Sequence, residues 1–452
     1  MDKKTVSYIF VIAIHLGIAL AVFVLPFLSK LYAFLIPIVG GFLVYRTKNR
    51  NNEVILVSAY LVGAEVFLRM TGGNLNNEYI KLCVIVFMLI GMTYSGFSAK
   101  AIVFFLFLLL LIPSVLITTA TDDYSTNVKK VLVFNLSGPL CLAICAIYTF
   151  QRKITFLELQ YILMAIGFPI LTTTIYLFLY NPSVRDVVTG TQSNFETSGG
   201  FGPNQVSTIL GLGMFVFFTQ FILYSKTKIL MIINGLIVLF VSYRAIVTFS
   251  RGGVITGVGM IILLLIVLYF YSSVKIRGKF FVVFLLTGLM GLAIWTYTSM
   301  QTSGLIEKRY ANQDAAGRTK KDRLGGREAI MDIELKTFFE NPVLGIGAGM
   351  GKQVRKDNFG VNVASHNEMT RMLSEHGLFG IFDLLILLIT PLLLFFNNRQ
   401  HLYLFSFYVF WLLTINHAAM RIAAPAFVYA LALLSIESKS SETKKKVNVA
   451  LD

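Results

Sequence analysis

Between Val363 and Gly380 the chain reads VASHNEMTRMLSEHGLFG, with two histidines, two acids and an arginine just ahead of an apolar run. Ser365 is placed to cap a helix starting near Asn367, Glu368 and Glu375 are spaced to pair with Arg371 along it, and Gly377 is placed to close it. Those pairs stabilise a helix by only tenths of a kcal/mol each, so part of this charge is structural. His366 is left at the helix start, where the dipole disfavours protonation and keeps the imidazole available as a general base. A lone histidine is more often a structural hydrogen-bonding residue, so the base reading needs cations beside it. The candidates are Arg251 in Ser250-Arg251-Gly252-Gly253, Arg327, Arg185 and Arg421. Arginine stays charged and its planar fork matches phosphate oxygens. For Arg185 and Arg421 a headgroup-facing charge explains the residue equally well. Arg244 lies seven residues before Arg251, two turns along, which places both on nearly one face of a continuous helix.

Other chemistries find less support. His366 and His376 are ten apart and no HxxxH or carboxylate-rich cluster occurs, so no metal site is expected. Cys83, Cys141 and Cys145 all lie in apolar runs and suggest neither disulfides nor a thiolate site. Asp122-Asp123 reads as an exposed patch in a small loop. The alternating glycines Gly345, Gly347, Gly349 and Gly351 lack dinucleotide-fingerprint spacing; they suit a flexible turn first and a backbone nest for phosphate second. Gly253 and Gly257 form a small-xxx-small pattern that reads as close helix packing. No serine-hydrolase elbow stands in a suitable setting.

The elements that must position these residues are membrane helices. Of 452 residues 56% are hydrophobic and 14% charged, and apolar runs of about 20 residues, enough to cross a bilayer, recur from end to end. The runs are continuously apolar rather than alternating, which argues against a barrel. The expected fold class is an all-α polytopic membrane protein with about 12–14 transmembrane helices, the division of runs favouring about fourteen. The first run, Val6 to Pro26, reads as an uncleaved first helix. With the N-terminus in the cytoplasm, nearly every short basic segment, from Arg46-Thr47-Lys48-Asn49-Arg50 to Lys444-Lys445-Lys446, falls on one side. The net charge of +16 therefore reports topology rather than nucleic-acid binding. Charge within spans gathers near their outer ends, at Glu65 with Arg69, at Arg244 and at Asp383. A transporter more often places such groups at the midplane.

The chain divides into N-terminal helices (1–180), central helices (181–297), a long outer segment (298–378), C-terminal helices (379–436) and a tail (437–452) whose Ser/Lys-rich part reads as disordered. Within the outer segment, Arg327 to Phe339 places Ile330, Ile333, Leu335 and Phe338 among charges, as a surface amphipathic helix would, and Asn341-Pro342 ends it.

Taken in order, Phe201-Gly-Pro-Asn204, Thr248-Phe-Ser-Arg251-Gly-Gly253, Gly326-Arg327, Asn341-Pro-Val-Leu-Gly345-Ile-Gly-Ala-Gly349, Ser365-His366-Asn367 and Glu375-His-Gly377-Leu-Phe-Gly380 resemble the O-antigen ligase and polymerase superfamily across roughly residues 180–385. The resemblance implies a metal-independent, cofactor-free, GT-C-like glycosyltransferase of the bacterial inner membrane with its active site facing the periplasm. Its donor would be a glycan on undecaprenyl diphosphate. The acceptor would be a sugar hydroxyl of lipid A core in a ligase, or another lipid-linked repeat unit in a polymerase. By motif position His366, Arg327 and Arg251 correspond to the catalytic residues; Arg185, Asn204, Arg244, Asn367 and Arg421 are the candidate substrate-binding ones. The chain departs in having Glu328 after Arg327, where relatives commonly carry an aromatic residue, and in its higher span count. On this reading the arginines neutralise a diphosphate leaving group, His366 takes the acceptor proton, and direct displacement inverts the anomeric carbon. Ligase is the favoured reading, with polymerase, protein O-glycosyltransferase and a transporter of lipid-linked sugars as the others.

Overall fold

A computed structural model describes residues 3–120, 128–320, 327–360, 362–418 and 420–437. Asp122-Asp123, Gly326 and the Ser/Lys-rich tail beyond Glu437 lie outside the described residues. The helices run, in chain order, α1 (Lys3–Val24), α2 (Leu28–Thr47), α3 (Glu53–Met70), α4 (Tyr79–Ser95), α5 (Ile102–Leu110), α6 (Ile112–Ala120), α7 (Val128–Thr149), α8 (Phe156–Tyr180), α9 (Val184–Val187) and α10 (Pro203–Thr219). They continue as α11 (Lys228–Ile246), α12 (Arg251–Tyr271), α13 (Val274–Gln301), α14 (Leu305–Tyr310), α15 (Arg327–Glu340), α16 (Gly351–Phe359), α17 (Glu368–Asn397), α18 (Leu404–Ile415) and α19 (Ala424–Leu431). The chain is an all-α polytopic membrane protein. The named strands among the described residues, β1 (Lys153–Thr155) and β2 (Ser435–Glu437), pair in parallel and tie the start of α8 to the chain after α19.

Among the described residues ten helices are long and apolar enough to cross a membrane, and Tyr79–Ser95 and Leu404–Ile415 are shorter apolar helices. The expectation of about fourteen also counted α3, which carries Glu53, Glu65 and Arg69, and α19, which has eight residues. At 1.5 Å per residue, α18 rises only about 18 Å and α19 about 12 Å, short of a hydrocarbon core of about 30 Å.

Small residues let the helices that carry the site approach closely. α10 and α12 run alongside each other, with Gly211 against the backbone of Gly253; a Cβ on Gly257 would lie 2.6 Å from the Gly211 carbonyl oxygen. The Gly253/Gly257 pattern is therefore packing, as expected from sequence. α11 ends at Ile246 and α12 begins at Arg251, so Arg244 and Arg251 sit on two different helices rather than on one face of a single helix. α15 forms over the expected stretch, but its buried face is Ile330, Glu334 and Thr337, with a carboxylate at its centre. Glu334 pairs with buried Arg355 at 2.6 Å and accepts from Thr370 Oγ1 and Ser365 Oγ, which fastens α15 and α16 to the segment carrying His366.

The segment Val363–Gly380 folds largely as its spacing predicts. Arg371 pairs with both Glu368 and Glu375. At Gly377 the backbone turns to φ +60, which breaks α17 in two. The cap is Asn367 rather than Ser365: Asn367 Oδ1 accepts from the amides of Met369 and Thr370, while Ser365 Oγ accepts from the Asn367 amide.

The glycine-rich turn before α16 is not an anion nest. Its amides are already used: Gly345 donates to Asn341 O, Ile346 to Ser374 O, Gly347 to Glu375 O, Ala348 to Ser114 O and Gly349 to Glu375 Oε2. Positive φ at Gly345, Gly347 and Gly349 lets the turn lie flat on α17, and a Cβ on Gly377 would lie 2.6 Å from the Val343 carbonyl oxygen. The run is a clasp across the break in α17.

Candidate functional site

The site is a cluster of cations around His366 at one end of the bundle, assembled from five separate parts of the chain. α12 supplies Arg251 as its first residue. The turn before it is strained, since buried Phe249 holds φ +58, where bulky side chains rarely lie. Contacts from other parts of the chain secure the turn. Ser250 Oγ donates to Asn204 Oδ1 at 2.8 Å, and Arg309 Nε donates to Phe249 O at 3.0 Å. Asn204 thus positions the residue beside Arg251 through its side chain.

The turn between α18 and α19 carries His417 and Arg421. The ring of His417 lies directly over Gly252, where any side chain would overlap it. Nδ1 of His417 lies 2.8 Å from Leu413 O, a carbonyl that only accepts, so the proton is on Nδ1; Nε2 lies 3.2 Å from Thr208 Oγ1, whose hydroxyl donates to Asn204 O at 2.7 Å. Behind the turn, Arg69 donates to Arg421 O and to Asn77 O, and Glu65 pairs with Arg69 and accepts from the Ala423 amide at 2.6 Å. The i, i+4 pair read from the sequence is present, and it holds the turn that delivers Arg421.

α14 and the loop after it bring Arg309, Tyr310 and Lys320; Lys320 Nζ donates to Thr191 Oγ1 at 2.8 Å. α15 brings Arg327, and the extended stretch before α17 brings His366.

These groups act on one another. Burial, then the charge of Arg251, lowers the Arg327 pKa; burial, then Arg251 and Arg327, lowers that of Arg309. The guanidinium groups still remain charged near neutral pH. Burial first, then Arg421 and Arg327, and His417, depresses His366 to about 4. Burial likewise lowers His417 to about 4, with the Leu413 bond opposing and Arg327 adding to the shift. Burial pushes Tyr310 up to about 12 against the pull of Arg251 and Arg309. The imidazole of His366 is therefore neutral amid fixed positive charge.

Of the five histidines, His366 alone has neither ring nitrogen hydrogen-bonded to another described residue. The others are tied down: His15 to Val11 and Tyr60, His376 to Ser114, His401 to Leu431, His417 to Leu413 and Thr208. His366 is also only half-buried, so its nitrogens are open to a substrate.

The structure brings Arg251, Arg327, His366 and Arg421 together and leaves two of the sequence candidates apart. Arg244 is fully buried, donates to Leu177 O and Asn181 O, and lies over Phe178; it caps the end of α8. Arg185 is exposed and reaches Met300 O at 3.4 Å. Asn367 uses its carbonyl oxygen as the cap of α17 and its amide on Met331 Sδ. Sequence reasoning missed Arg309, Lys320 and His417. Arg309 and Lys320 were hidden in a uniformly polar stretch, and the one signal for His417 was a histidine four residues from Arg421 at the end of an apolar run.

Residues 235–385 match the family model described as O-Antigen ligase. No curated protein matches the chain. The matched span contains Arg251, Arg309, Lys320, Arg327 and His366, while His417 and Arg421 lie beyond it.

Proposed function

We propose, starting from a membrane chain whose residues 235–385 carry the O-antigen ligase domain, that it transfers a glycan from undecaprenyl diphosphate to a sugar hydroxyl of lipid A core at the periplasmic face of the bacterial inner membrane. The observation that carries this reading is the neutral imidazole of His366, without a hydrogen-bond partner among the described residues and set among arginines. An anion with a reactive hydroxyl beside it is what such a site accommodates. Lipid-linked glycans present that anion as a diphosphate.

The acceptor oxygen attacks the anomeric carbon and forms the new glycosidic bond while its proton passes to His366. The bond from that carbon to the diphosphate oxygen breaks, and the electron pair leaves with the diphosphate. Arg251, Arg309 and Arg327 neutralise the charge that develops there, each contact contributing about 100- to 1000-fold in rate. Attack opposite the leaving group inverts the carbon. A histidine with a pKa of about 4 is a weak base, but the bound diphosphate offsets the cations that depress it and raises its basicity when the acceptor is in place.

The test is purified protein in liposomes with a lipid-linked repeat unit, run with and without lipid A core, with products read by mass. Transfer that needs core supports the ligase reading. Lengthening of the lipid-linked glycan without core makes the chain a polymerase, and no new glycosidic bond with either acceptor overturns the reading.

A further inference from the structure

A second chamber adjoins the cluster. It is a half-open cavity of about 510 Å³ lined by α7, α16 and the start of α17, and it reaches Ser365 and Arg421. Arg421 belongs to both spaces: it lines the cavity, donates to Ser365 O at 2.6 Å, and is one of the charges acting on His366. The cavity therefore reaches the residue next to the proposed base.

Its lining has a definite chemistry. Both carboxylates, Glu368 and Glu375, are committed to Arg371, and Arg355 to Glu334 behind the wall. Lys352 and Lys356 stand one helical turn apart on α16, are exposed, and have no acidic partner among the described residues. Phe134 offers an aromatic face beneath the Arg421 guanidinium, 5.9 Å from the ring centre, and Asn135 and Gln353 add amides. Uncompensated cations with amides and one aromatic face suit a saccharide that bears negative charge.

We propose that this cavity is the acceptor chamber and that it selects an acidic saccharide, phosphorylated or carboxylated, with Lys352 and Lys356 on its anionic group and its hydroxyl directed past Arg421 to His366. The inference rests on the functional reading above, and the division of labour is new: the Arg251, Arg309 and Arg327 group takes the donor diphosphate, while α16 takes the acceptor's charge.

Glucose 6-phosphate and glucose serve as probes, with binding to the purified chain followed by saturation-transfer NMR. The phosphate ester should bind saturably and glucose should not. Lys352→Ala/Lys356→Ala, at exposed positions that leave folding intact, should weaken the phosphate ester by about tenfold or more, while Arg327→Ala should leave its binding in place. Gln353→Trp, which fills the chamber and keeps both lysines, should abolish it. Binding that survives the double lysine change and disappears in Arg327→Ala overturns the assignment, as does no binding to the unmodified chain. The measurement uses neither donor nor transfer, so its failure overturns the chamber alone, whereas the absence of any glycosidic bond in the liposome assay overturns the functional reading.

Discussion

Arg421 donates from Nη2 to the backbone oxygen of Ser365 at 2.6 Å, which joins the turn between α18 and α19 to the residue immediately before His366. The geometry of the base is therefore set in part from outside the matched domain, by the C-terminal helices. Glu65 and Arg69 on α3 hold that turn in place.

Glu65→Ala removes the partner of a buried arginine and the acceptor of the Ala423 amide, and breaking a buried pair in this way costs roughly 3 kcal/mol. The variant should unfold at lower temperature in detergent and lose transfer activity, although Glu65 touches no proposed substrate group. Thermal unfolding together with the transfer rate checks this; an unchanged rate in a destabilised protein would separate α3 from the site.

Arg251→Lys and Arg327→Lys keep the charge and lose the planar fork. If these arginines grip diphosphate oxygens, each lysine variant should remain about 100-fold or more below the parent, which steady-state transfer kinetics would show. Near-full activity in either would mean that charge alone suffices.

The ring of His417 occupies the space a side chain on Gly252 would need. Gly252→Ala should push His417 away from α12 and lower transfer about tenfold. Because the two positions are in contact, the double variant Gly252→Ala/His417→Ala should lose less than the sum of the singles in a double-mutant cycle.

Neutral His366 is the working form, so activity falls as pH drops through its pKa. In the free protein that value is about 4, and the acid limb of kcat/KM should lie there. Bound diphosphate offsets Arg421 and Arg327, so the acid limb of kcat should lie at higher pH. Coincident limbs in the two profiles would argue against a base that sits in the field of these arginines.

Much of this arrangement was legible in the sequence. The apolar runs and their flanking charges gave the helical membrane fold, and the ordered motifs marked Arg251, Arg327 and His366. Local spacing also gave the Arg371 pairs and the break at Gly377, because each depends on a few neighbouring residues, and the small-xxx-small pattern gave the close packing at Gly253 and Gly257 without naming Gly211 as its partner. Long-range contacts were not legible. That Arg244 caps α8 depends on how α8 meets α11, and that His417 rests on Gly252 depends on two residues far apart in the chain. The glycine run suited a flexible turn first and a nest second, and the contacts that use up its amides, to Ser374, Glu375 and Ser114, come from distant parts of the chain. Arg309 and Lys320 look like ordinary solvated charges until the loop after α14 folds back over the head of α12.

The decisive experiment is the transfer rate of His366→Ala, taken with purified protein, a lipid-linked repeat unit and lipid A core, with its circular dichroism and thermal unfolding matched to the parent. General-base catalysis typically contributes about 100- to 10,000-fold, and a loss in that range is expected, carried by kcat, with KM for the donor little changed. Transfer at close to the parental rate by a folded His366→Ala protein would rule out His366 as the base.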